Sequence, residues 1–460
     1  MSLDFTSVVL AGVLVMLVQA GFALVTTGLC RAKNAAQVIT INLIIFALSI
    51  VGFWVCGFAF MSGGWSVKIA PQDTEWSIHL FGHSFGLMGH QGFFLSAASS
   101  PLLLSLFFFQ ATVVAVAALI PAGVMADRWK FSSVIPYACV SAALPIAVFG
   151  NWVWGGGWLA QLGENLGCGH GFVDFAGSSV IHMAGGVAGF MGAIALGPRV
   201  GKYSRDGRPR PMPGHNLAFV VFGALLLAAG WFGMTIGPSL FAAPSRLPLI
   251  AVNTLLSAAA AAATACAVVK IKFKKPDPSM ICNGLLAGLA AISGPCAFVN
   301  PAGAVLTGAV AGALVVYCVV FIEGTIKVDD PVGALSVHGV GGAWGLLSLG
   351  LFADGSFGQG WNGVHDLAAN GTETGVTGAF GALFGAPSND WSQLGAQIIG
   401  AAACLIFCGL AAWLWFKICA FFTPLRCRHE EELAGLDLPE VGAECYPDFH
   451  LTDKGSTRAD

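Results

Sequence analysis

An all-α integral membrane protein is the fold class this sequence predicts, and three observations predict it. The chain is 56% hydrophobic and only 10% charged, with mean hydropathy +0.78. A soluble protein carries roughly 25% charged residues, so this one cannot cover a water-facing surface. Its apolar residues gather into eleven runs long enough to span a hydrocarbon core of about 30 Å. Its basic residues fall between every second pair of runs.

The runs lie near residues 7–29, 37–60, 99–124, 132–153, 175–197, 216–236, 247–270, 280–299, 303–323, 332–352 and 392–420. The first begins in MSLDFTSVVLAG, which lacks the basic stretch of a signal peptide, so it reads as the first span. The eighth ends in SGPCAFVNP, whose Gly and Pro disfavour helix. Of 21 Lys and Arg, all but Lys68 and Arg246 follow an odd-numbered run or end the last one. By the positive-inside rule this puts the N-terminus outside and the C-terminus in the cytoplasm. The expected organisation is a transmembrane domain, 1–420, and a cytoplasmic tail, 421–460. The 61 glycines follow no fixed period and suit close helix approach in a bundle. The 13 cysteines include no C-x-x-C pair and mostly sit in apolar runs as small buried residues.

Two segments repeat. DFAGSSVIHMAGG starts at Asp174 and DPVGALSVHGVGG at Asp330. Both fit D-x-x-G-x-x-x-x-H-x-x-G-G. The first opens run five and the second run ten, which cross in opposite directions, so runs one to five and six to ten form an inverted 5+5 repeat with one extra helix. Such repeats place their site at the midplane. Eight helical residues rise about 12 Å, so His182 and His338 each reach mid-bilayer. Asp174 and Asp330 fall at helix starts, where a carboxylate accepts free N–H groups. Asp330 reads as a structural helix start; for Asp174 capping stands beside direct substrate contact.

An ionisable residue in a span is a functional-site hypothesis. Two unrelated core histidines, a bis-histidine haem site, a metal site and a narrow path walled by two neutral imidazoles are the four readings. The repeat weighs against the first. One histidine per half is few for haem, and a third ligand at helical spacing is missing for a metal. In the fourth reading each neutral ring offers one donor and one acceptor to a small polar solute. No nucleophile, base and oxyanion grouping emerges, so no enzyme is expected, and no cofactor.

The sequence resembles the ammonium transporter (Amt/Mep/Rh) family over nearly its whole length. The resemblance is carried by FFQ at 108–110, ADRWKF at 126–131, WVWGGGWLAQLG at 152–163 and VDFAGSSVIHMAGGVAGFMGAIALGPR at 173–199. It continues in GWFG at 230–233, KVDDPVGALSVHGVGGAWG at 327–345 and GLDLPEVGAECY at 435–446. It implies a homotrimer of eleven-helix subunits in the inner (plasma) membrane, each with its own pore. It implies an ammonium recruitment site at Trp154, Asp174, Phe109 and Gln110 above a twin-histidine pair, His182 and His338. Without the resemblance, Trp154 at the end of a span reads as an interfacial anchor.

The sequence departs from the family where a phenylalanine gate is usual. Val113 and Met234 stand in place of two phenylalanines, Thr235 in place of asparagine and Pro238 in place of a vestibule serine. Two functions follow from the resemblance: an ammonium or ammonia transporter, and an ammonium sensor on the same fold with little transport. The tail, where Val441 replaces a common histidine, is implied to meet a PII-type signalling protein or a fused histidine kinase.

Overall fold

The computed structural model describes residues 5–62, 75–96, 100–364, 378–384 and 390–447. Lys68, Lys454 and Arg458, used above for orientation, lie outside the described residues. Among those residues, ten helices are long and apolar enough to cross a membrane. The chain enters with α1, Phe5–Leu29, and α2, Ala35–Gly52, which continues through a π turn to Ser62. α3, Pro101–Val124, follows; Pro101 supplies a preset φ at its first turn and Ser100 caps it at Leu103 N. The fourth run is α4, Phe131–Ala143, and α5, Pro145–Trp154, kinked where Pro145 interrupts the ladder.

A π segment, Ser178–Met183, leads into α6, Ala184–Leu196. Then come α7, Leu217–Ile236; α8, Leu247–Phe273; α9, Pro278–Ile292; and α10, Pro301–Phe321. A second π segment, Leu335–Val340, leads into α11, Gly341–Phe352, and α12, Ser392–Phe422, ends the bundle. Between α2 and α3, β1, Glu75–Leu80, pairs antiparallel with β2, His83–Gly89.

The eighth run is corrected. Its helix stops at Ile292, and residues 293–299 are buried turns rather than span. α9 is a shorter apolar helix than its neighbours. The reason is local: the Ser178 hydroxyl lies 2.7 Å from Ala290 O and accepts from Gly294 N at 2.6 Å, capturing groups the next turn would use. Irregular backbone is tolerated here because protein surrounds it.

Small residues set the packing. A Cβ on Gly21 of α1 would lie 2.7 Å from Leu227 N, and one on Gly223 of α7 would lie 2.8 Å from Val25 N. α1 and α7, first helices of the two predicted halves, therefore touch backbone to backbone. Gly308 and Gly312 of α10 meet Ser257 and Ala261 of α8 in the same way. In an apolar solvent such contact, not hydrophobic burial, holds helices together.

The basic end of the bundle is tied by ions. Arg199 donates to Asp329 through Nε and Nη2, both at 2.9 Å, and to Asp127 through Nη1 at 3.0 Å. Lys202 pairs with Glu323 at 2.7 Å. Burial raises the Asp329 carboxyl, but the Arg199 hydrogen bonds outweigh that and hold it at about 2. Burial lowers the Arg128 guanidinium to about 10, against the pull of Asp329. The tail docks on this same end. Glu432 accepts from Arg426 at 2.7 Å and from Val200 N at 2.6 Å, and Asp437 accepts from Gln37 N at 2.9 Å.

Candidate functional site: a histidine pair between two repeated segments

The two repeated segments fold alike. Gly177 has φ +102° and Gly333 φ +77°, the left-handed region that favours glycine. Each turns the chain directly after its aspartate. Asp174 accepts from Gly177 N and Ser178 N at 2.8 Å, from Ser179 N and Oγ at 2.6 Å and from Val180 N at 3.2 Å. Asp330 accepts from Gly333 N at 3.1 Å and Leu335 N at 2.7 Å. Both aspartates thus satisfy the free donors at a helix start, and both helices open as π turns that carry the histidine.

The closing glycines let the halves meet. A Cβ on Gly186 would lie 2.5 Å from Gly339 Cα, and one on Gly342 2.4 Å from Ser178 O. That approach brings His182 Nδ1 to 3.3 Å from His338 Nδ1, with ring centroids 5.3 Å apart at 26°. One proton shared between the two Nδ1 atoms makes one Nε2 an acceptor and the other a donor. His182 Nε2 is buried with no hydrogen-bond partner among the described residues. The pair therefore presents complementary polar atoms in an apolar wall.

Trp231 completes that wall. It stacks on His182 with centroids 4.7 Å apart at 22°, and its indole N–H donates to Ser293 Oγ at 2.9 Å. Phe22 lies 5.5 Å from His338 on the other side. A cavity of about 20 Å³, space for one water, is lined by Phe22, Thr26, Asn283, Val332 and His338. Sequence reasoning missed Trp231, Ser293 and Ser178 as site-builders. Trp231 sat inside the quoted GWFG, but nothing in its spacing revealed stacking on a histidine.

On the Asp174 side, Trp154 is half-buried and its indole N–H donates to Asp174 O at 2.6 Å. Phe109 and Gln110 are buried, and Gln110 Oε1 has no partner among the described residues. The Phe109 ring fills the space beside Gly237, where a Cβ would lie 2.2 Å from Cε2. Val113 and Met234 are 2% and 1% exposed and belong to the core cluster that holds Phe109 and Trp231. Thr235 is buried, its hydroxyl 3.1 Å from that of Thr254. Pro238 is half-buried after the end of α7.

A family model, the Ammonium Transporter Family, matches residues 6–446. The chain is 40% identical over 453 residues to ammonium transporter Amt2 of Archaeoglobus fulgidus, covering 98% of this chain and 89% of that one. It is 32% identical over 442 residues to the ammonium transporter of Bacillus subtilis, covering 95% and 96% of the two chains. Among solved structures, a sensor Amt protein superposes with TM-score 0.79 at 31% identity, covering 95% of this chain and 98% of that one. Candida albicans Mep2 superposes with TM-score 0.75 at 23% identity, over 96% of this chain and 90% of that one, a likeness of fold.

Proposed function

The chain belongs to the ammonium transporter family, and from that premise we propose that it carries ammonium or ammonia through a pore walled by His182 and His338. The observation that carries the proposal is the 3.3 Å approach of two histidines that occupy the same place in a repeated segment. In this reading Trp154 recruits the cation over its indole face, an interaction of up to about 2 kcal/mol once desolvated. Phe109, Gln110 and the Asp174 turn shape the recruitment site. Ammonia is both donor and acceptor, so it can pass one Nε2 to the other without a charge beside the rings.

The proposed setting has eleven spans in an inverted 5+5 arrangement, with the α9 region as the eighth. The N-terminus lies outside, the transmembrane domain covers 1–420 and the tail 421–460 is cytoplasmic. We assign the protein to the inner (plasma) membrane as a homotrimer, with a PII-type protein or a fused histidine kinase at the tail, and with no enzymatic activity. Proteoliposomes containing the purified chain should show ammonium-evoked currents, reduced at least about tenfold by His182→Ala, within the usual effect of removing a positioned polar group. A flat response from folded wild-type protein rejects transport.

A second reading, an ammonium receptor, is favoured by the gate. Val113 and Met234 replace the gate phenylalanines of the resemblance and Pro238 its vestibule serine, and a sensor Amt protein matches over nearly its full length. Ammonium binding measured calorimetrically without current supports the receptor, and robust current excludes it.

A further inference from the structure

Three metal-ligating side chains that play no part in the pore converge beneath the bundle. Cys427 follows α12, Glu431 lies on the short helix α13, His429–Ala434, and Glu440 lies in the turn Asp437–Val441. Their ligand atoms all fall within 4.8 Å of one another. Cys427 is 4% exposed and the Glu440 side chain 6%. Each carboxylate is oriented from behind. Glu440 Oε2 accepts from Phe131 N at 2.7 Å, and Glu431 Oε2 accepts from Arg428 N at 2.9 Å. The other oxygen of Glu440, Oε1, faces Lys130 at 3.6 Å, an ion pair that a bound metal would displace. The backbone also holds the thiol, since Cys427 N donates to Arg128 O at 3.1 Å. Backbone hydrogen bonds behind each ligand are the outer shell that metal sites use to fix ligand orientation.

The charges around the cluster leave it acidic. Lys130, 3.6 Å from Glu440 Oε1, is the cation that faces the cluster. Two carboxylates and a thiol with one ammonium leave room for a further positive charge.

We propose that Cys427, Glu431 and Glu440 bind a borderline divalent metal of the Zn²⁺ class and so clamp the tail to the start of α4. The donor set selects the class: a thiolate excludes Mg²⁺ and Ca²⁺ as preferred ions, and carboxylates disfavour Cu⁺. Three protein ligands and a water complete a tetrahedron, so ligand atoms within 4.8 Å of one another must close to edges of about 3.5 Å. Binding forms a metal–sulfur bond, and the thiol proton leaves to solvent. The three ligands come from the end of α12, from α13 and from the tail turn, so one ion joins all three.

Co²⁺ titration of the full-length protein in detergent tests this, followed by thiolate-to-cobalt absorption and Zn²⁺ displacement. One Co²⁺ per chain is expected with a thiolate band. Cys427→Ser should abolish the band, and Glu431→Gln and Glu440→Gln should each weaken binding at least tenfold. Cys445→Ser, on the exposed tail cysteine, should leave both unchanged. Zn²⁺ should slow hydrogen exchange across 429–441 in the unsubstituted protein, a readout that needs no variant to fold. Absence of a thiolate band, its survival in Cys427→Ser, or tail exchange indifferent to Zn²⁺ overturns the proposal.

Discussion

At the residue scale, Asp174 shows how one side chain prepares the site without touching a histidine. Its two oxygens accept five hydrogen bonds from residues 177–180, and its own carbonyl accepts from Trp154. Asparagine at this position has one acceptor oxygen in place of two. Asp174→Asn must therefore abandon either the Gly177 and Ser178 donors or those of Ser179 and Val180. Leaving buried donors unpaired costs roughly 1–3 kcal/mol, so the variant should unfold at lower temperature by about that free energy. Equal thermal stability of the two proteins would show that the turn does not depend on this carboxylate. The role was half legible: D-x-x-G before an apolar run marked a helix start, but the number of donors depends on a π turn that no residue pattern announces.

At the element scale, the sequence does not announce the β1–β2 hairpin, because β1 is exposed along nearly its whole length and β2 buries only Phe85 among its large apolar side chains. It is held from below. Trp158 N donates to Gly86 O at 2.9 Å, Gly86 N to Gln161 Oε1 at 3.1 Å and Trp152 Nε1 to Leu87 O at 2.7 Å. Burial raises the Glu75 carboxyl from 4.5 to about 7, against the Asn151 hydrogen bond that lowers it. The undocked strand ionises first as pH climbs, while the docked one keeps its proton, so docking weakens from pH 4.5 to about 7 and is level above that. Protection factors at Gly86 and Trp158, which remove the intrinsic rise of amide exchange with pH, should fall across this window in the natural protein and stay level in Glu75→Gln. A pH-independent wild type would refute the assignment. α9 teaches a related lesson: apolar composition ran on to residue 299, yet Ser178 from a distant segment ended the helix at Ile292.

At the scale of the whole molecule, the basic end is a single ionic unit joining the loops after α1, α3, α6 and α10 to the tail. Arg199 is its hub, with Asp127 and Asp329 both fully buried beside it. Breaking one arm of a buried pair strands the remaining charge at a cost of roughly 3–5 kcal/mol. Asp329→Asn should therefore lower thermal stability by about that amount, and loosen exchange in 199–202 and 327–335 together. Loosening confined to one of these loops would show that the cluster does not act as one unit. The tail hangs on the same unit through Glu432, which accepts from Val200 N beside Arg199, and through Asn34, which accepts from Leu436 N.

The sequence alone sufficed for the apolar solvent, for ten of the eleven expected spans among the described residues and for the recurring histidine segment. Each of these rests on composition and spacing along one chain, and apolar length, basic alternation and D-x-x-G-x-x-x-x-H-x-x-G-G are all local properties. Only the tertiary structure decided that His182 meets His338 through Nδ1, that Trp231 stacks on the pair and that the tail lies against Asn34, Gln37 and Val200. Those are contacts between segments far apart in sequence, decided by how closely glycines such as Gly186 let two backbones approach. A pattern in one dimension records that a glycine is present; only the folded chain shows which atom fills the space its missing side chain leaves.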